Sequence, residues 1–257
     1  MTDRSTAFER LATIMDKLRE SCPWDKKQTL DSLRHLTIEE TYELADSIVE
    51  KDMPSIKKEL GDILLHILFY AKIGSEMKEF NITDVINAQC EKLIYRHPHI
   101  YGDVQVKDEE DVKRNWEQLK LKEGKVDASV LDGVPKSLPS MVKSMRIQEK
   151  ARGVGFDWEK PEQVWEKVEE ELNEFREAAD SGKHDHAMSE FGDLLFSLIN
   201  YARFKNINPD EALERTNKKF IHRFKYLEDS ARKNGRSLSE MSLEEMDVFW
   251  NEAKRII

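Results

Sequence analysis

The chain has 257 residues, 39% of them hydrophobic and 36% charged, with a formal net charge of −10. The apolar share is enough for a core, which excludes wholesale disorder. The acidic balance argues against a general DNA or RNA binder, which would show a basic face. Ten Gly and seven Pro are few for this length and favour helices over a turn-rich β architecture. The two cysteines, Cys22 and Cys90, form no C-x-x-C pair, so a reducing compartment is expected rather than a disulfide framework. The start has no apolar signal core. The longest apolar run, Ile63 to Ala71, is broken by His66 and falls short of the ~20 residues that span a bilayer. The expectation is a soluble cytoplasmic protein with neither a nucleic acid nor a membrane as partner.

Ala7, Phe8, Leu11, Ile14, Met15 and Leu18 recur at helical spacing and predict a helix from Ser5 to Glu20, ended by Cys22-Pro23-Trp24-Asp25. Trp24 reads either as a packing anchor or as a stacking platform, the anchor being the commoner use. A second helix is predicted from Leu30 to Glu50, with Glu40 among its apolar positions and Glu43 at their margin. Asp52 before Pro54 reads as a cap. The third helix carries Glu59, Asp62 and Ile63 to Ala71, with Gly74 as its stop. Thr83 or Asp84 starts a fourth, ending near His97-Pro98-His99, whose histidines read as loop residues rather than ligands. Asp108 to Lys122 is a polar helix containing Trp116.

Gly124 to Pro139 lacks periodicity and reads as a linker. A helix follows from Leu138 to Ala151, and then a loop, Gly153 to Trp158. Its G-x-G is no dinucleotide fingerprint, because no strand precedes it. Pro161 opens the next helix, with Glu171 at the edge of its apolar stripe and Glu174 just beyond; Ser181-Gly182 ends it. The following helix has Glu190 and Asp193 flanking its apolar side. Asn208-Pro209 caps another, running through Lys219 and Arg223, and a last helix from Ser242 carries Trp250.

The order of these elements repeats. Glu39-Glu40-Thr41-Tyr42-Glu43 with Glu59-Leu60-Gly61-Asp62 returns 131 residues later as Glu170-Glu171-Leu172-Asn173-Glu174 with Glu190-Phe191-Gly192-Asp193. After a four-residue slip, Lys92 and Arg96 align on Lys219 and Arg223, and near the ends, at a different offset, Trp116 matches Trp250. The chain is an internal duplication. The expected architecture is all-α: two tandem helical-bundle domains, 1–123 and 140–257, joined by a linker at 124–139.

Residues three and four apart on a helix are neighbours, so Glu171 and Glu174 point one way, as do Glu190 and Asp193. A short loop makes the two helices antiparallel neighbours and places four carboxylates around one point. A single such cluster reads as a solvated acidic face, but its repetition beside an apolar stripe favours a counter-cation unless the acids are protonated. All-carboxylate oxygen ligands suit Mg²⁺, with Mn²⁺ as a substitute. Glu40, Glu43, Glu59 and Asp62 form a second such site. Lys219 and Arg223, one turn apart, suit a polyphosphate or else a salt bridge to nearby acids. Trp250 suits base stacking or core packing equally. Lys167, one turn before Glu171, is a further candidate for a phosphate contact.

These motifs resemble the MazG family of nucleoside triphosphate pyrophosphohydrolases in its long, two-domain form. Cys22 to Asp25, Arg96 to Asp103, Leu131 to Pro135, Ala151 to Trp158 and Asn217 to Phe220 support the resemblance. It implies the all-α NTP pyrophosphatase fold and Mg²⁺-dependent hydrolysis of an NTP to an NMP and pyrophosphate. It also implies a homodimer and a second half that is the main catalytic domain. On the same resemblance Glu171, Glu174, Glu190 and Asp193 are metal ligands, and Lys167, Glu170, Glu171, Lys219, Arg223 and Trp250 contact nucleotide. Glu170, Glu171 and Glu174 are the candidate general bases. A di-iron carboxylate bundle needs two E-x-x-H motifs, and no histidine here has Glu three residues before it. A nucleotide-binding scaffold that does not cleave its ligand is the non-enzymatic alternative.

Overall fold

The structure, a computed structural model, describes residues 3–108, 111–112, 115–116, 119 and 129–256. Every regular element among them is helical. The chain divides into two compact units, residues 1–109 and 110–257. The first unit holds α1 (Arg4–Ser21), α2 (Leu30–Glu50), α3 (Met53–Glu76), α4 (Ile82–Arg96) and the single turn α5 (Pro98–Tyr101). The second holds α6 (Ser140–Gly153), α7 (Pro161–Asp180), α8 (His184–Phe204), α9 (Pro209–Lys233) and α10 (Leu243–Ile256). Of the polar helix expected over Asp108 to Lys122, residues 111, 112, 115, 116 and 119 are described and helical. Lys120 to Lys122, and with them the start of the linker at Gly124 to Ala128, lie outside the described residues. No helix among the described residues is long and apolar enough to cross a membrane.

Local chemistry sets the helix ends. Thr29 caps α2 through the Ser32 amide, and Asp52 caps α3 through the Ser55 amide. For α4 the cap is Asn81, with Asp84 as its capping-box partner, so the helix starts before the Thr83 or Asp84 expected. Asn208 caps α9. Gly74 does not stop α3, which runs on to Glu76. The glycine is there because the Phe80 ring lies against it: a Cβ would meet ring carbons at 2.8 Å. Trp24 is no part of the buried core of its unit. It is 55% exposed, and the buried residue of that turn is Asp25.

In the first unit Met15, Leu33, Leu68, Phe69 and Ile73 form the core, which joins α1, α2 and α3. Arg19 ties the end of α1 to the rest: it donates to the Gln28 carbonyl at 2.9 Å and to Glu76 at 2.9 Å. In the second unit Val164 and Val168 of α7 are buried, as are Leu194 and Ile199 of α8, while Phe175 and Phe191 meet at 5.3 Å. Asp157, in the loop before α7, pairs with Arg203 of α8.

The duplication is visible in the turns. The α2–α3 turn places Lys51 in the left-handed region at φ 58°, and Gly182, its match 131 residues on, does the same at φ 70° between α7 and α8. The four-residue slip does not lie wholly in the next loop. α3 has 24 residues against 21 in α8, so three of the four lengthen a helix and one lies in the loop.

Nothing lies within 4 Å of a Cβ built on Gly182, so a substitution there meets a conformational cost alone. Gly182→Ala should cost about 1 kcal/mol and Lys51→Gly should cost nothing or stabilise slightly. Urea denaturation of the two variants measures this, and equal losses in both would contradict it.

Candidate metal centre

Only residues 181–183 separate α7 from α8, and the two helices pack along their length, so they run antiparallel. Glu171 and Glu174 stand about two turns before that connection and Glu190 about two turns after it, which brings them level. Glu171 shares the buried face of α7 with Val164, Val168 and Ala178 and is only 6% exposed. It lies within the apolar stripe, not at its edge. Glu190 is half-buried and Glu174 exposed. Carboxylate oxygens of Glu171, Glu174 and Glu190 all lie within 4.8 Å of one another. Asp193, exposed one turn further along α8, is not in that group.

The first unit repeats the arrangement. Oxygens of Glu40, Glu43 and Glu59 lie within 4.8 Å of one another, and Asp62 is outside the group. Here the buried acid comes from the second helix of the pair: Glu59 is 4% exposed.

Each cluster carries one lysine. Lys167 Nζ stands 2.8 Å from Glu170 and 2.7 Å from Glu171. Lys58 Nζ stands 2.9 Å from Glu59 and 3.8 Å from both Glu43 and Asp62. The carboxylates push both ammonium groups up. Acids beyond a lysine's reach feel one another. Desolvation holds Glu174 above the usual carboxylate range, Glu171 and Glu170 raise it further, and Lys167 only partly offsets this. Glu40 is raised in the same way, by desolvation first and then by Asp62, Glu43 and Glu59.

Three hard oxygen donors this close suit one divalent ion. Metal–oxygen bonds of about 2.0–2.5 Å place opposite oxygens about 4–5 Å apart. Both clusters can therefore hold a metal.

The remaining predicted residues lie elsewhere in the second unit. Lys219 is exposed and Arg223 half-buried on α9, which packs against α6 and α8. Among the described residues no ion pair joins either of them to the carboxylate cluster. Arg223 Nε is buried without a hydrogen-bond partner. Trp250 of α10 is half-buried, with its ring 5.0 Å from that of Phe220. Two residues escaped the sequence reading. His186 Nδ1 lies 3.3 Å from Glu190, and Lys58 spans the first cluster. Both sit four residues before an acid of the motif, His186 before Glu190 and Lys58 before Asp62, which is the signal that could have found them.

Comparison with known proteins matches both halves to one family model. The MazG nucleotide pyrophosphohydrolase domain matches residues 28–101 and again 159–227. The chain is 44% identical over 257 residues to the Thermotoga maritima protein named nucleoside triphosphate pyrophosphohydrolase/pyrophosphatase MazG, covering 99% of this chain and 98% of that one. It is 38% identical over 255 residues to an Escherichia coli nucleoside triphosphate pyrophosphohydrolase, covering 96% and 97%. It is 49% identical to the Bacillus subtilis protein YabN, which is uncharacterized, over 96% of this chain but 51% of that one.

A carboxylate raised in the folded state resists ionisation there, so it costs stability above its raised pKa and nothing below its unfolded value near about 4.3. In chelator, Glu174→Gln should therefore raise the melting temperature at pH 7.5, and the gain should vanish as the pH falls towards 4. A lower melting temperature at pH 7.5 in thermal scans would contradict this.

Proposed function

Because the chain belongs to the MazG family of nucleotide pyrophosphohydrolases, we propose that it hydrolyses a nucleoside triphosphate to the monophosphate and pyrophosphate at the carboxylate cluster of its second half. The observation that carries the placement is the convergence of Glu171, Glu174 and Glu190 on one point with no ammonium on Glu174 or Glu190 among the described residues. We assign catalysis to a second domain over 140–257, the first domain covering 1–123 and the linker 124–139.

Glu171, Glu174 and Glu190, with Asp193 one turn on, would hold Mg²⁺, for which Mn²⁺ could substitute. When bound, the ion supplies charge neutralisation for the triphosphate and lowers the pKa of a coordinated water. The chain's own side chains do the rest. Arg223 forks onto phosphate oxygens, and its orphaned buried Nε gives it an unspent donor for that purpose. Lys219, one turn away, adds a point charge. Trp250 offers its ring to the base. Lys167 holds Glu170 beside the cluster at 2.8 Å and also contacts phosphate.

Water attacks the α-phosphorus. A new P–O bond forms, the bond to the bridging oxygen breaks, and its electron pair leaves with the pyrophosphate. The water's proton goes to a carboxylate. Glu171 and Glu174 are engaged as ligands in this arrangement, so Glu170, 56% exposed and outside the ligand group, is the base. The protein works in the cytoplasm on free nucleotides, as a homodimer. Supporting the dimer are exposed apolar side chains on α8, among them Phe191, Leu195 and Leu198.

Glu190→Gln should lower pyrophosphate release at least about 100-fold while leaving the helix content unchanged. Turnover in ¹⁸O-water should label the monophosphate. Label in the pyrophosphate would refute attack at the α-phosphorus, and undiminished turnover by Glu190→Gln would refute the site.

A further inference from the structure

The two acidic clusters are equivalent by position but neutralised differently. Glu40, Glu43, Glu59 and Asp62 correspond to Glu171, Glu174, Glu190 and Asp193 at a constant offset of 131. The lysines do not correspond. Lys58 stands where the second unit has Ser189, and Lys167 stands where the first unit has Leu36. Their contacts divide the cluster in complementary ways. Lys167 reaches Glu170 and Glu171, and among the described residues no ammonium reaches Glu174, Glu190 or Asp193; the nearest group that can carry a positive charge there is the His186 imidazole, 3.3 Å from Glu190. Lys58 reaches Glu43, Glu59 and Asp62, the counterparts of those three.

We infer that Lys58 takes in the first unit the place that a divalent ion takes in the second, so that one chain binds one tight divalent ion and not two. This rests on the reading of the second cluster as a metal site. The geometry gives the reason. An ion bound by Glu43 and Glu59 needs oxygens that face the Lys58 ammonium at 3.8 and 2.9 Å. The ion and the ammonium then repel at short range. Lys58 is anchored one residue before Glu59, the 4% exposed acid, so its charge stays near the cluster even when the side chain swings. At the matching position the Ser189 side chain carries no charge and excludes no ion. The first unit thus keeps four acids without needing metal. Its carboxylates hold α2 to α3 through a lysine bridge, while among the described residues no lysine takes that place in the second unit.

The test counts bound Mn²⁺ by electron paramagnetic resonance on the full-length protein, without nucleotide, with circular dichroism to confirm folding. The unaltered chain should bind one Mn²⁺ tightly, with any second at least roughly tenfold weaker. Glu190→Gln should remove the tight site. Lys58→Ser should create a second tight site, and Glu40→Gln in that background should remove it again. Ser189→Lys, the reciprocal change, should weaken the tight site at least roughly tenfold, and it decides the matter if Lys58→Ser does not fold. Two equal tight sites in the unaltered chain would overturn the inference while leaving the metal reading intact. So would a folded Lys58→Ser protein with one site, or a Ser189→Lys protein that binds as before. No Mn²⁺ uptake by the unaltered chain would overturn both.

Discussion

A carboxylate facing the packed seam of two antiparallel helices must be neutralised from inside that seam, and both halves of this chain are built around that requirement. Glu171 and Glu59 are the cases that force it, at 6% and 4% exposure. A charge so placed cannot rely on water, and breaking its pairing is strongly destabilising. The acids level with each buried one must then share its cation or repel it. The register that makes them level comes from the connection between the helices. A left-handed residue, Lys51 or Gly182, reverses the chain in each half. One residue more or less in either helix would rotate its acids by about 100° and dissolve the cluster. The turn, the seam and the motif spacing are therefore one constraint.

That coupling explains what the sequence could and could not reveal. Helix positions were legible because caps and breakers are local: α2 runs from Leu30 to Glu50 and α7 opens at Pro161, as the spacing and the proline imply. The all-α architecture and the two-fold repeat were legible because acids at a constant offset survive even where the apolar positions have drifted. The depth of each acid was harder to read. Glu171 reads as an edge residue on a helical wheel, but α8 lies over it and buries it; burial belongs to the pair of helices and not to one helix. Lys58 was passed over for the same reason. A lysine beside a glutamate in an acidic chain looks like an ordinary solvated pair, and only the packing of α3 on α2 brings Glu43 within 3.8 Å of it. Trp24 and Gly74 misled in the opposite direction. Both carry strong local signals, a loop aromatic and a helix breaker; Trp24 stays largely exposed, and Gly74 is set by the Phe80 ring against it.

Behind the clusters the two halves differ again, and the difference runs the same way. One turn before Glu40, Thr37 Oγ1 lies 2.7 Å from the Tyr70 hydroxyl and 3.1 Å from His66 Nδ1. Burial lowers the His66 pKa, and Asp62 offsets part of that. The matching positions in the second unit are Val168, Ser197 and Tyr201, and Val168 is 4% exposed. Tyr201 packs against Trp165 at 4.8 Å. The first half thus backs its acids with hydroxyls and an imidazole, whose dipoles can reorient to soften a bare charge. The second replaces the threonine with Val168 and the histidine with the smaller Ser197, so it keeps fewer such dipoles beside the Tyr201 hydroxyl. A less polarisable backing makes an unneutralised carboxylate costlier and a well-placed divalent ion more strongly held, because both effects scale inversely with the local dielectric. A lysine bridge suits the first environment, since one charge spread over three acids needs help from surrounding dipoles. A compact double charge suits the second. The identity of the residues behind each cluster and the position of its lysine are thus two expressions of one electrostatic choice, made differently in the two copies of the same helical hairpin.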